Sequence, residues 1–279
     1  METEQFTIRT RHEIKVIAKE GITKQRDTAM GAIFLVFTIV HLGVVLDLAF
    51  PDILITSLIT IATLFFVDSV LYVNLAGVYA KIFRGETTSA GEIISGFGTN
   101  YLRKAGGMLL VWAFTFMWSL LLFIPGIIKA FSYSMTSYIL AEYPNVKATD
   151  AIKLSMRMTK GHKFELFVAL LSFVGWGVLF LIIHGILSLL LGIIFIGPYA
   201  LYMISYSLTT FVPSEAILFG WATATFLSGT LLFSVWLGPY MYATFAGYYN
   251  ELKGIALATG VIEHSESSLQ TCMKAVLCW

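Results

Sequence analysis

Charge is what this sequence has least of. Charged residues fill 13% of its 279 positions, about half the share of a soluble domain. Between Leu166 and Ser214 there is no Asp, Glu, Lys or Arg. A water-soluble fold of ordinary size does not carry such a stretch, whereas a membrane-crossing segment requires one. Cysteine is almost missing too. Cys272 and Cys278 both lie in the tail, so no disulfide framework is implied. No apolar core precedes Met30 and no small-residue cleavage site follows the first apolar run. That argues against a cleaved signal peptide and for a retained first helix. The chain also lacks H-E-x-x-H, G-x-S-x-G, a Walker loop and G-x-G-x-x-G. These absences lead to an expectation of a non-enzymatic protein, with no cofactor, metal or nucleic-acid partner.

What the chain has in quantity is apolar length. Apolar types make up 57% of it, in runs at roughly 30–50, 53–80, 105–124, 126–142, 164–190 and 216–249. A crossing needs about 20 apolar residues. The expected fold is therefore an all-α, polytopic transmembrane bundle of six crossings. Residues 1–29 form a cytoplasmic amphipathic segment, 30–253 a single transmembrane domain and 254–279 a mobile cytoplasmic tail. The third and fourth crossings divide at Pro125-Gly126, where a turn is expected because proline followed by glycine cannot continue a helix comfortably.

The basic residues test that map. Of the 18 Lys and Arg, all but Lys129 fall into four clusters: Arg9–Arg26, Lys81–Lys104, Lys147–Lys163, and Lys253 with Lys274. An even number of crossings separates each cluster from the next. By the positive-inside rule all four belong to the cytoplasmic side, with both termini. Residues 185–220 leave two counts open. LLGIIFIGPYALY (190–202) echoes LLFSVWLGPYMYA (231–243), and a duplicated hairpin would give eight crossings. The alternative is an apolar insertion in a six-crossing bundle, preferred because 214–229 is short for a crossing.

Three cytoplasmic segments have the spacing of amphipathic helices. Ile14, Ile17, Ala18 and Ile22 share one face. Ile93, Phe97 and Tyr101 follow a capping box at Ser89–Glu92. Ala148, Ile152, Ser155, Met156 and Thr159 oppose Lys153, Arg157 and Lys160. Basic helices of this kind sit on anionic headgroups.

Several stretches carry a family likeness. They are Ile124-Pro-Gly-Ile-Ile-Lys-Ala-Phe-Ser-Tyr-Ser-Met-Thr-Ser-Tyr-Ile-Leu-Ala-Glu142, then Ala151-Ile-Lys-Leu-Ser155 with Lys160-Gly-His-Lys163, then Phe164-Glu-Leu-Phe167 running into Leu171-Ser-Phe-Val-Gly-Trp176. Gly238-Pro-Tyr240 through Tyr248-Tyr-Asn-Glu-Leu252 and the opening Glu13-Ile-Lys15 with Ala18-Lys19 complete the set. Together they resemble the integral-membrane family called domain of unknown function 975, over most of 13–253. The resemblance implies a bacterial cytoplasmic membrane and no established activity. The sequence departs from it near 185–220 and after Gly254.

Ionisable groups within apolar runs are the functional candidates. Asp68 heads them, with Tyr72 four residues on and Asn74 nearby. A carboxylate there binds a cation, relays a proton or ties helices together as a neutral hydrogen-bonding group. Lys129 lies past the outer turn, to snorkel outward or to pair with Asp47 or Asp52. His41 and His184 are isolated and read as structural. Glu142, Glu165 and Glu215 fall at helix ends and read as boundary residues. Pro125-Gly126, Gly197-Pro198 and Gly238-Pro239 are candidate helix breaks, of the kind that can line substrate sites. The expected function is a non-catalytic membrane protein acting through the lipid bilayer, anionic headgroups or a membrane-protein partner. The alternative is a small transporter or channel using Asp68.

Overall fold

The computed structural model describes residues 8–49, 54–98, 100–205 and 215–261. Asp52, Cys272 and Cys278, and the side chains of His41, Asp47 and Glu215, lie outside the described residues. Among the described residues the fold is all-helical: α1 (Arg11–Lys24), α2 (Arg26–Ala49), α3 (Leu54–Ala62), α4 (Asp68–Arg84), α5 (Glu92–Ser95), α6 (Tyr101–Leu121), α7 (Phe123–Tyr133), α8 (Thr136–Glu142), α9 (Ala148–Met158), α10 (Lys163–Leu171), α11 (Val174–Ser205), α12 (Glu215–Leu232) and α13 (Gly238–Ala258). Four stretches are long and apolar enough to cross a membrane: Leu58–Arg84, Tyr101–Leu121, Lys163–Tyr202 and Ile217–Ala258.

Packing is concentrated at one end. From Ser69 to Phe83, α4 is buried on nearly every face, while Leu54, Ile55, Leu58, Phe65 and Phe66 on the same long helix are exposed. Around buried α4 lie α1, α2, α8 and α13. Tyr79, fully buried, donates its hydroxyl to the Ala29 carbonyl at 2.6 Å and ties α4 to α2. Gly247 on α13 lets Ile14 and Phe83 approach so closely that an added Cβ would lie 2.5 Å from each. Gly85, at φ 74°, then ends α4 in the left-handed conformation that glycine adopts without strain.

The amphipathic segments are docked onto this packed end. Ile14 and Ala18 of α1, and Ala151, Ile152 and Ser155 of α9, are buried in the bundle. Their apolar faces are thus covered by protein, not turned to headgroups. α9 also repairs a break. Between α7 and α8 the helix is interrupted at Ser134-Met135, and Ser155 Oγ donates to the Ser132 carbonyl at 2.8 Å and accepts from Met135 N at 3.2 Å. Both backbone groups are satisfied where water is scarce. The capping box forms at Thr10 and Glu13 on α1, whose hydrogen bonds are reciprocal. At α5 the first cap is Gly91, and Glu92 pairs instead with Lys81 Nζ at 2.6 Å.

The expected break between the third and fourth apolar runs is present but displaced, and the two Gly-Pro pairs do not interrupt their helices. The turn between α6 and α7 falls at Leu122, which is extended at φ −158° and ψ 134°. Pro125 sits in the first turn of α7, where its missing N–H has no intrahelical role. Gly126 is a packing residue: a Cβ there would meet Ser119 Oγ of α6 at 2.3 Å. Gly197 and Pro198 lie inside α11, which runs 32 residues without interruption. Before Gly238-Pro239 the helix widens into a π turn at Phe233–Leu237 and continues. The wider turn accommodates the proline ring against the preceding carbonyls.

Residues 185–220 do not form an additional hairpin among the described residues. They lengthen α11 and α12, which pair through Trp221 Nε1 donating to the Ser188 carbonyl at 3.0 Å and His184 Nε2 at 3.1 Å from the Thr225 carbonyl. The stretch Lys163–Tyr202 is 40 residues long, roughly 60 Å of helix against a hydrocarbon core of about 30 Å.

Candidate functional site at the charged end

The four residues singled out in the apolar runs are not brought together. Asp68 directly follows a π turn at Thr63–Val67, and its Oδ1 is buried with no hydrogen-bond partner among the described residues. Tyr72, one turn on, stacks edge-on to Tyr242 with ring centres 6.4 Å apart. Asn74 serves elsewhere. Its Nδ2 donates to the Ile93 carbonyl at 2.8 Å, and its Oδ1 accepts from Lys104 Nζ at 2.8 Å. Lys104, counted from sequence in the cytoplasmic cluster Lys81–Lys104, is only 6% exposed and also donates to the Gly96 carbonyl at 2.8 Å. Asn74 and Lys104 thus clamp the α5 loop against the bundle. Lys129 places its ammonium 4.8 Å from the Trp118 ring centre, a cation–π contact between α7 and α6.

The structure instead gathers polar groups at the packed end. Glu142, the last residue of α8, lies between the ends of α4 and α13. Its carboxylate accepts from Lys253 Nζ at 2.7 Å and from the Tyr249 hydroxyl, and Arg84 stands 3.5 Å away. Arg84 forks onto Glu86 at 2.6 and 3.2 Å and reaches Asn250 Oδ1 at 3.3 Å. Tyr138 stacks on Tyr249 with centres 4.9 Å apart. Two cations face two carboxylates, so the network is internally neutral. It joins three helices that are remote in sequence; a separate ion pair, Arg9 with Glu251 at 3.5 Å, ties the N-terminal segment to α13. Glu142 read from sequence as a boundary residue. Its position as the last residue of the family-like stretch 124–142 was the available signal.

Lys15 adds a second tie. Its ammonium donates to Ser172 Oγ at 2.7 Å and lies 4.4 Å from the Phe173 ring centre, fixing α1 to the α10–α11 junction. Burial pushes its pKa below the ordinary 10.5, with nearby Arg11 adding to the shift. Around these bound groups stand further exposed cations: Arg11, Lys19, Lys24 and Arg26 near the N-terminus, Lys153 and Arg157 on α9, and Lys160 in the turn just after it. No cluster of three His, Cys, Asp or Glu able to hold a metal is found among the described residues.

Comparison with known proteins gives one match. The family model described as protein of unknown function, DUF975, matches residues 100–256, which takes in α6 to α13. No curated protein and no solved structure matches the chain.

Proposed function

The chain belongs to the DUF975 family of unknown function, and on that premise we propose a non-catalytic, multi-pass protein of the bacterial cytoplasmic membrane that presents a rigid cationic face to anionic lipid headgroups or a membrane partner. The crossings in this reading are α2, α3–α4, α6, α7–α8, α10–α11 and α12–α13, with both termini in the cytoplasm. The observation that carries it is the network at Glu142. Arg84, Glu142 and Lys253, from three crossings, meet within 4 Å, so the helix ends that bear the basic clusters share one side. Because the apolar faces of α1 and α9 are held by the bundle, their exposed cations are fixed and do not trail on flexible loops. Each well-placed cation contributes roughly 1 kcal/mol at an anionic surface.

The test is affinity purification in mild detergent, with mass spectrometry of the associated proteins and lipids. The reading expects anionic phospholipid or a stoichiometric partner retained at low salt, and loss of it from K153E/R157E/K160E. Retention unchanged in that variant rejects the cationic face as the contact.

A second reading, a small transporter, is favoured by one observation: the unpartnered Asp68 Oδ1 beside a π turn, since π turns recur at functional sites. Here Asp68→Asn folds normally and abolishes proton or cation flux in proteoliposomes. Equal flux in both proteins removes Asp68 from any transport role.

A further inference from the structure

Between α4, α6, α7 and α8 lies a cavity of about 450 Å³, within the range of sites that bind small organic ligands. Glu142, Arg84 and Lys253 of the charged end are not among its lining residues, nor is Asp68, although Tyr72, one turn from Asp68, is. Six hydroxyl-bearing side chains line it: Tyr72, Thr115, Ser119, Tyr133, Ser134 and Ser137. No charged side chain is among its lining residues. Trp112 and Phe116 supply apolar walls, and Phe116, 66% exposed, marks an opening on the lateral surface of the bundle.

The hydroxyls are not equivalent. Thr115 Oγ1 donates to the Val111 carbonyl, Ser119 Oγ to the Thr115 carbonyl and Ser134 Oγ to the Phe131 carbonyl, each at 2.8 Å. Each proton is committed to its own helix, so these groups face the cavity as acceptors. Ser137 is 2% exposed, and its Oγ has no partner among the described residues. A buried hydroxyl in that state costs free energy unless something hydrogen-bonds to it. The complement is a ligand that brings an O–H of its own. It carries no net charge, because a charge would be stranded in this lining. It also has an apolar tail, because the opening gives onto the apolar flank. Ser137 lies five residues before Glu142 on α8, so the polar end of such a ligand sits roughly 8 Å below the charged network.

We propose that this cavity binds the head of a neutral glycerolipid with a free hydroxyl, of the diacylglycerol class, entering laterally past Phe116 and hydrogen-bonding at Ser137 and Thr115. The test uses the full chain in phosphatidylcholine nanodiscs doped with a diacylglycerol whose tail carries a diazirine. After irradiation the label maps to 108–119 and 130–137. Unlabelled diacylglycerol competes, and its acetylated, hydroxyl-free ester does not. Thr115→Val and Ser137→Ala each lower labelling about fivefold, the value of one hydrogen bond. Ala130→Trp, at the mouth, lowers it by obstruction and stands in should either hydroxyl variant fail to fold. Label spread as densely over α11, equal competition by the acetylated ester or by phosphatidylglycerol, or wild-type labelling of Ala130→Trp overturns the proposal.

Discussion

The helix from Leu54 to Arg84 lives in two environments. Its second half is sealed on nearly every face by neighbouring helices, while its first half leaves Leu54, Ile55, Leu58 and Phe65 exposed. The same contrast divides the bundle. None of the most apolar stretch of Lys163–Tyr202 is buried, against 41% of the corresponding stretch in Leu58–Arg84. Both ends are apolar, the exposed one more strongly, with no charged residue from Leu54 to Val67. The solvent each end needs then sets how tightly it packs. In lipid an apolar side chain gains little by moving from acyl chains to protein, so the exposed half requires no tight core. The packed end, which in the proposed orientation meets water and headgroups, does require one, and there small residues, tyrosine hydroxyls and paired charges take up the helix ends.

Substitutions at matched positions sharpen the contrast. The largest effect is expected at Glu142. Glu142→Ala leaves Lys253, Arg84 and the Tyr249 hydroxyl without their shared acceptor, and a cost of about 2–3 kcal/mol follows for a network mostly but not wholly buried. A thermal melt in detergent reads it, and Lys253→Met in the same chain should recover part of the loss. Next come two glycines. Gly247→Ala forces a methyl into Ile14 and Phe83 and costs about 1–3 kcal/mol. Gly177→Ala, with nothing within 4 Å of its added Cβ, is neutral or stabilises by up to about 1 kcal/mol. Similar melting temperatures for the two variants would erase the distinction between the ends. The smallest effect is at α1. The Thr10 hydrogen bond holds the Glu13 carboxyl below its ordinary 4.5. A depressed pKa means that the cap contributes above pH 4.5 and is lost as pH falls through the lower folded value. Glu13→Gln should flatten that acid limb in melts taken from pH 6 to pH 3 while leaving the neutral melting temperature nearly unchanged.

Much of this architecture was legible in the chain because it rests on composition. The charge-free run from Leu166 and the helical periods of α1 and α9 follow from what the bilayer and the helix demand locally. What was not legible depends on neighbours. Nothing near Pro125 in sequence says that Leu122 makes the turn and that Gly126 is there to admit Ser119. The pattern of Ile14 and Ala18 fits a lipid surface and a protein groove equally well, and Gly247, 233 positions away, decides for the groove. Asn74 looked like a companion of Asp68 by proximity along the chain. Six residues on a helix turn it to the other side, where Lys104 and the Ile93 carbonyl hold it. Glu142 looked ordinary because its three partners are contributed by α4 and α13.

The central claim is that the packed, charged end forms one face on the cytoplasmic side. Single cysteines at Lys24, Lys153 and Leu122, in a chain with Cys272→Ser and Cys278→Ser, test it with a membrane-impermeant maleimide on right-side-out and inverted vesicles. The account predicts that Lys24→Cys and Lys153→Cys label only in inverted vesicles and Leu122→Cys only in right-side-out ones. Labelling of Lys153→Cys and Leu122→Cys from the same side would contradict it.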